Sequence, residues 1–295
     1  MEALSLLLWP LLACIAIAGI HAYLGFHVVE RGVIFVDLAM AQVAALGATV
    51  GFLVGHDLHS PAASYFSLGS VVLGAALLAV LKAERRRIPQ EAFIGIVYAL
   101  AAAASILIVD RTPEGAEHIK FMLVGNLLAT SPGEVLHLAL LYLGIGILHA
   151  WWRKPFFAIS RGQTEGMSSR AVKGWDFLFY ATFGLVVSQS VAIAGVLLVF
   201  SYLIVPSVIA MLLADGAGAR LAVGWVVAIA VSVGGMLASY HFDLPTGATV
   251  VTTFGVALAA ALVASPWLGR GIRSSSGALR RAEASRPKPE GVGSA

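Results

Sequence analysis

Two polar side chains interrupt an otherwise apolar stretch, and their chemistry suits a cation. The stretch is 33-VIFVDLAMAQVAALGATVG-51, which carries Asp37 and, five residues later, Gln42. An ionisable group inside a membrane costs about 2.5–3.5 kcal/mol on insertion scales, so it is a candidate functional residue. Carboxylate and amide oxygens are hard donors that suit cations such as Mn²⁺. We therefore predict a transient cation site at Asp37 and Gln42.

The helical period of this stretch separates the two polar residues. At about 100° per residue they point about 140° apart, so both bind one ion only if the helix is distorted, for example by a π-bulge. Asp37 shares its face with small residues, which permit close helix packing or leave room for a passage. These residues are Ala41, Ala44, Ala48, Gly51 and Gly55. In a structural alternative, Asp37 caps or bridges helices and pairs with Arg31.

A second candidate site follows in the loop 55-GHDLHSP-61. His56, Asp57 and His59 offer imidazole and carboxylate ligands that could hold a divalent ion at the entrance to a path. A solvated polar loop is the alternative interpretation.

The composition indicates an integral membrane protein. Hydrophobic residues make up 59% of the 295 residues and charged residues only 12%, and the mean hydropathy is +0.89. A soluble domain has about a quarter of its residues charged. The net charge of +3 comes from basic residues in short loops and the tail, where membrane topology explains them. We therefore expect no nucleic-acid partner.

Nine apolar segments approach or reach the length of a membrane span. They cover residues 4–26, 34–54, 65–81, 92–109, 134–150, 175–192, 194–213, 219–239 and 247–264. Because one segment could be re-entrant, we predict an all-α bundle of about eight or nine transmembrane helices. The membrane domain is predicted to span residues 1–268, and the polar residues 269–295 to form a disordered cytoplasmic tail.

Basic clusters predict the orientation of this bundle. They lie at residues 82–87, 153–173 and 270–281, so the positive-inside rule places the N-terminus outside and the C-terminus in the cytoplasm. The cytoplasmic loop that contains residues 155–174 suits the docking of another protein, although a solvated loop is the alternative.

Three further features carry local expectations. Residues 119–130 are apolar but too short to span, and they predict a short interfacial helix. Pro206 predicts a bend, since it removes one helix hydrogen bond. In the turn 243-DLPTG-247, Asp243 or Thr246 is expected to cap the following helix.

Motifs for common membrane enzymes do not occur in the sequence. The chain contains no G-x-x-x-x-G-K-[ST], H-E-x-x-H or G-x-S-x-G, the patterns of ATP binding, zinc proteolysis and serine hydrolysis. We therefore expect a protein that is not an enzyme and binds no cofactor itself.

Six short motifs, in order along the chain, resemble the permease subunit of the ABC-3 family of zinc and manganese importers. The resemblance runs from about residue 19 to 265. The motifs are 29-VERGVIF-35, 36-VDLAMAQVAALG-47, 91-EAFIGIVYA-99, 124-VGNLLATSPGEVL-136, 203-LIVPSVIA-210 and 243-DLPTGATVV-251.

The resemblance implies a fold, a function and partners. The fold is that of a type II, B12-importer-like, ABC permease in the bacterial plasma (inner) membrane. A homodimer would form the path for zinc, manganese or iron. ATP-hydrolysing subunits would dock on the cytoplasmic loop at 155–174, and an extracytoplasmic binding protein would deliver the metal.

One motif departs from the family pattern, which has Asp-x-x-x-His in the second helix. The residue four positions after Asp37 is Ala41, and matching the family glycine to Gly47 places Gln42 at the histidine position. An amide is a poor zinc ligand, so hard oxygen donors favour manganese or another hard cation.

Two other functions fit the same sequence. One is a related ABC permease for a metal chelate or vitamin, which would need a wider, uncharged passage. The other is a secondary metal transporter or channel that needs no ATPase, which would take up metal without a partner subunit.

Overall fold

Helices make up the fold throughout the part of the chain that the structure describes. The computed structural model describes residues 2–56, 60–84, 88–110 and 125–265. These ranges contain α1 (Glu2–Arg31), α2 (Val36–Leu53), α3 (Pro61–Glu84), α4 (Gln90–Val109), a 3₁₀ turn (Leu127–Ala129), α5 (Pro132–Trp151), α6 (Arg153–Ser160), α7 (Ser169–Leu213), α8 (Ala217–Phe242) and α9 (Thr246–Ala264). Every helix in these ranges except the short α6 is long and apolar enough to cross a membrane. The predicted all-α membrane bundle is confirmed.

The 45-residue helix α7 folds back on itself at Gly195. Gly195 has φ 76° and ψ 159°, which are not helical angles. Asp176, before the break, contacts Arg31, whereas the backbone of Leu203, after the break, packs against Gly25 of the same helix α1. A straight helix would hold Asp176 and Leu203 about 40 Å apart, but Gly25 and Arg31 are about 9 Å apart. The chain therefore reverses direction at Gly195.

Within the described residues, the reversal divides α7 into two helical arms, so the eight long helices supply nine arms in total. The arms of α7 cover residues 169–194 and 196–213, close to the predicted segments 175–192 and 194–213. Because nine is an odd number, the start of the first arm and the end of the last arm lie at opposite faces of the bundle. The break lies at Gly195 rather than at Pro206, where the sequence predicted a bend; Pro206 sits inside the second arm with helical backbone.

The segment before α5 braces the reversal. The Asn126 N–H donates to the carbonyl of Ile193 at 3.0 Å, and Gly125, at φ 69°, lies against the backbone of Ala194 and Gly195. Of the segment 119–130, predicted to be a short helix, the described residues form only the 3₁₀ turn; residues 111–124 lie outside the described ranges. The described part of this segment, residues 125–130, therefore contains no α-helix.

Helix α2 and the first arm of α7 form the centre of the bundle. Along its span α2 is 67% buried, whereas α4 is only 17% buried. Phe179, Tyr180 and Phe183 of α7 are fully buried. Large side chains such as Leu107 and Leu143 are exposed on the outer helices, as contact with lipid requires.

The turn between α8 and α9 is held by a serine of α8. The Ser239 hydroxyl donates to the Leu244 carbonyl at 2.7 Å and lies 2.8 Å from the Thr246 hydroxyl. Helix α9 has no side-chain cap, so the prediction that Asp243 or Thr246 caps it is wrong. Thr246 is already inside the first turn of α9, and its hydroxyl faces Ser239 instead. The predicted tail, 269–295, lies outside the described residues.

We expect Gly195→Ala to destabilise the protein by about 1–3 kcal/mol, because the backbone region at Gly195 is essentially restricted to glycine. The measurement is thermal unfolding of the purified protein in detergent. Gly144→Ala in α5 is the matched control, since an added Cβ there meets no atom within 4 Å and alanine favours a helix. Equal melting temperatures for the two variants would contradict a strained reversal at Gly195.

Candidate functional site

Asp37 lies in the first turn of α2 and is enclosed by protein. Its side chain is 2% exposed, and its Oδ1 atom is buried without a hydrogen-bond partner. The positive end of the α2 dipole favours a carboxylate at this position. An unpaired buried carboxylate oxygen is nevertheless costly, so this atom is available to a cation.

Glu91 brings a second carboxylate to the same place, and the sequence did not single it out. It lies in the first turn of α4, where its Oε1 accepts a hydrogen bond from the Phe35 N–H at 3.2 Å. Its Oε2 is buried without a hydrogen-bond partner. Phe35 stands two residues before Asp37, so this hydrogen bond holds Glu91 beside the N-terminus of α2. The sequence feature that could have identified Glu91 is an acidic residue at the start of the apolar helix, in 91-EAFIGIVYA-99.

Gln42 is buried in the same helix but is not turned toward Asp37. Its side chain is 8% exposed, and α2 is a regular α-helix from Val36 to Leu53. No π-bulge brings the two residues together. Near the C-terminal end of α2, the face of small residues packs closely against α3. A Cβ added at Gly51 would lie only 3.2 Å from the Cα of Ala63 in α3.

The entrance site is only partly described. His56 is exposed and its ring lies 5.9 Å from the ring of Phe66. Asp57 and His59 lie outside the described residues. Within the described ranges, no group of three or more His, Cys, Asp or Glu side chains could hold a metal ion.

Arg31 pairs with Asp176 rather than with Asp37, which corrects the structural alternative drawn from the sequence. The Arg31 Nη1 to Asp176 Oδ1 distance is 2.6 Å, and the two side chains are only 1% and 2% exposed. The guanidinium also lies 3.8 Å above the centre of the Phe179 ring. Its Nε donates to the Ser160 hydroxyl at 2.9 Å. Arg31 thus joins α1, α6 and α7.

Two buried histidines near this ion pair, His149 and His27, lie within hydrogen-bond distance of hydroxyl groups. His149 Nε2 lies 2.9 Å from the Thr182 hydroxyl, and its Nδ1 lies 3.2 Å from the Tyr23 hydroxyl. His27 Nδ1 lies 2.8 Å from the Ser160 hydroxyl. These contacts tie α1, α5, α6 and α7 together at one end of the bundle.

Short polar connections and apolar spans together define a multi-pass membrane protein. The chain belongs to the ABC 3 transport family, which matches residues 3–265 and confirms the resemblance found in the sequence. The protein is therefore a transporter subunit of the bacterial inner membrane.

Relatives and a solved structure agree with this assignment. A "Probable iron transport system membrane protein" of Haemophilus influenzae is 28% identical over 82% of this chain and 87% of its own length. The manganese transport system membrane protein MntC of Halalkalibacterium halodurans is 24% identical over 90% of this chain and 89% of its own. The fold is similar to PsaBC from Streptococcus pneumoniae in complex with Fab, with a TM-score of 0.70, 20% identity and coverage of 88% and 93% of the two chains.

We expect Asp176→Asn to lower the free energy of unfolding by about 3–5 kcal/mol, because it leaves the buried charge of Arg31 unpaired. Thermal unfolding in detergent is the measurement. The control is Glu30→Gln, which breaks the pair between Glu30 and Arg220 at 3.0 Å, where both side chains are 21% exposed. A partly exposed pair contributes at most about 1 kcal/mol. Equal losses in the two variants would contradict a structural role specific to the buried pair.

Proposed function

We propose that the chain is the permease subunit of an ATP-driven importer for a divalent metal ion: manganese, iron or zinc. The observation that carries the proposal is the buried carboxylate of Asp37 with the partly buried carboxylate of Glu91; within the described residues, each has one oxygen without a hydrogen-bond partner. Membership of the ABC 3 transport family supports ATP as the energy source. The iron and manganese transport relatives support a metal ion as cargo.

The ligand chemistry favours a hard cation within this class. Asp37 and Glu91 supply carboxylate oxygens, and the nearest polar neighbour along α2 is the amide of Gln42. Oxygen donors suit manganese better than zinc, which is well bound by imidazole and thiolate. Two carboxylates also bind weakly enough for the ion to leave, as transport requires.

The two carboxylates lie near one end of the proposed metal path. Asp37 and Glu91 each lie in the first turn of a helix, at the end of the bundle that also holds α6. By the predicted orientation this is the cytoplasmic end. A metal ion would therefore meet these carboxylates late in its inward passage.

Partner subunits complete the proposed transporter. The ATPase would dock on residues 155–174, where Arg161 is exposed; Arg153 and Lys154, directly before this segment, are exposed as well. A second copy of the chain would close the path, and an extracytoplasmic protein would deliver the metal. ATP shifts the permease between its two states only through different affinities of the nucleotide-bound subunits for those states.

We expect Asp37→Asn and Glu91→Gln each to lower manganese uptake by at least about tenfold, since even outer-shell changes lower metal affinity about 10- to 100-fold. The measurement is Mn²⁺ uptake by liposomes that contain the complete transporter. Glu134→Gln is the matched control, because Glu134 is also a first-turn glutamate but caps its own helix through Ser131. Unchanged uptake with normal assembly would show that the carboxylates are structural.

We expect manganese uptake only when the permease is reconstituted with its ATPase, its binding protein and ATP. The comparison is uptake by liposomes that hold the chain alone under an imposed ion gradient. Uptake by the chain alone would identify a secondary transporter or channel and would refute the proposal. Uptake of an organic chelate but not of free manganese would identify the related chelate permease.

A further inference from the structure

The short helix α6 is attached to the bundle by one polar side chain and a set of aromatic contacts. Ser160, in its last turn, is 2% exposed and accepts a hydrogen bond from Arg31 Nε at 2.9 Å. The same hydroxyl lies 2.8 Å from His27 Nδ1, within hydrogen-bond distance. Both partners of Ser160 lie in α1.

Aromatic rings hold the rest of α6. The Phe156 ring stacks on His149 of α5 at 4.1 Å, and the Phe157 ring lies 4.7 Å from His27 of α1. Phe156 also contacts Trp175 of α7 at 5.6 Å. Arg153 and Lys154 of α6 are exposed. The opposite, inner face of α6 contacts α1, α5 and α7.

Arg31 connects this attachment to the candidate metal site through a short, hydrogen-bonded link. Only residues 32–35 separate α1 from α2. Within that link, Gly32 donates to Val29 and Val33 to Val28, at 3.1 and 3.2 Å. Phe35, its last residue, donates to Glu91, and Asp37 follows two residues later. Covalent and hydrogen-bonded contacts therefore connect Ser160 to both carboxylates.

The ion pair with Asp176 keeps Arg31 from moving alone. At 2.6 Å, with both side chains almost fully buried, the pair joins the end of α1 to the start of α7. The attachment of α6 is therefore connected to the start of α7 as well as to the end of α1.

We propose that Ser160 and Arg31 are positioning residues that couple movement of α6 to the carboxylates of Asp37 and Glu91. This inference rests on the proposed function, in which an ATPase docks on α6. The two residues touch neither metal nor nucleotide; they determine how much of the movement of α6 arrives at the metal path.

The test measures manganese uptake and ATP hydrolysis together in liposomes that contain the complete transporter. We expect Ser160→Ala to lower the manganese imported per ATP hydrolysed by about two- to thirtyfold, the range of coupling effects seen for residues between linked sites. The control is Ser201→Ala, since the buried Ser201 hydroxyl donates to the Leu197 carbonyl within its own helix. That variant should keep the wild-type ratio.

The outcomes separate this inference from the proposed function. If the wild-type complex shows no ATP-driven uptake, the proposed function itself is wrong. If the wild type transports and Ser160→Ala keeps the wild-type ratio, the coupling role is wrong. An equal fall in uptake and hydrolysis would also overturn it, because Ser160 would then serve ATPase docking alone.

A second variant tests whether the two residues act through one hydrogen bond. Arg31→Lys keeps a positive charge beside Asp176 but removes the Nε donor to Ser160. We expect the double variant, Ser160→Ala with Arg31→Lys, to import no less manganese per ATP than Arg31→Lys alone. Both substitutions remove the same contact, so the second should add no further loss. Fully additive losses would contradict a shared route.

Discussion

The reversal of α7 at Gly195 is the constraint on which the rest of the bundle depends. Inside a membrane each backbone group needs a partner within the protein, because lipid offers none. A break in a helix therefore requires compensation, and Asn126 supplies it by donating to the Ile193 carbonyl. The reversal lets both arms of α7 pack on α1, which brings Asp176 to Arg31 and Leu203 to Gly25.

Charge is tolerated in this apolar bundle in two different ways. Arg31 and Asp176 neutralise each other, and the Ser160 hydroxyl and the Phe179 ring also contact the guanidinium. Among the residues that the structure describes, Asp37 and Glu91 form no such ion pair. They lie instead at the N-termini of α2 and α4, where helix dipoles favour negative charge. The first arrangement stabilises the fold, whereas the second leaves carboxylate oxygens open to an ion.

Much of the fold could be predicted because lipid selects residues locally. The predicted apolar segments match the helices to within a few residues, and the separation between segments 175–192 and 194–213 lies two residues before the Gly195 break. The nature of that break could not be predicted, since glycine is common in membrane helices. Asp243 and Thr246 looked like caps because their residue types favour that role, but Ser239 engages the Thr246 hydroxyl.

The sequence by itself determined the class of protein, the approximate spans and the burial of Asp37, because composition and helical period are local properties. Only the tertiary structure decided which charges meet. Arg31 and its partner Asp176 are 145 residues apart, and Phe35 meets Glu91 across 56 residues. Such contacts depend on how helices pack, and packing is set by shape complementarity among many side chains. That is why the ion pair and the second carboxylate emerged only from the fold.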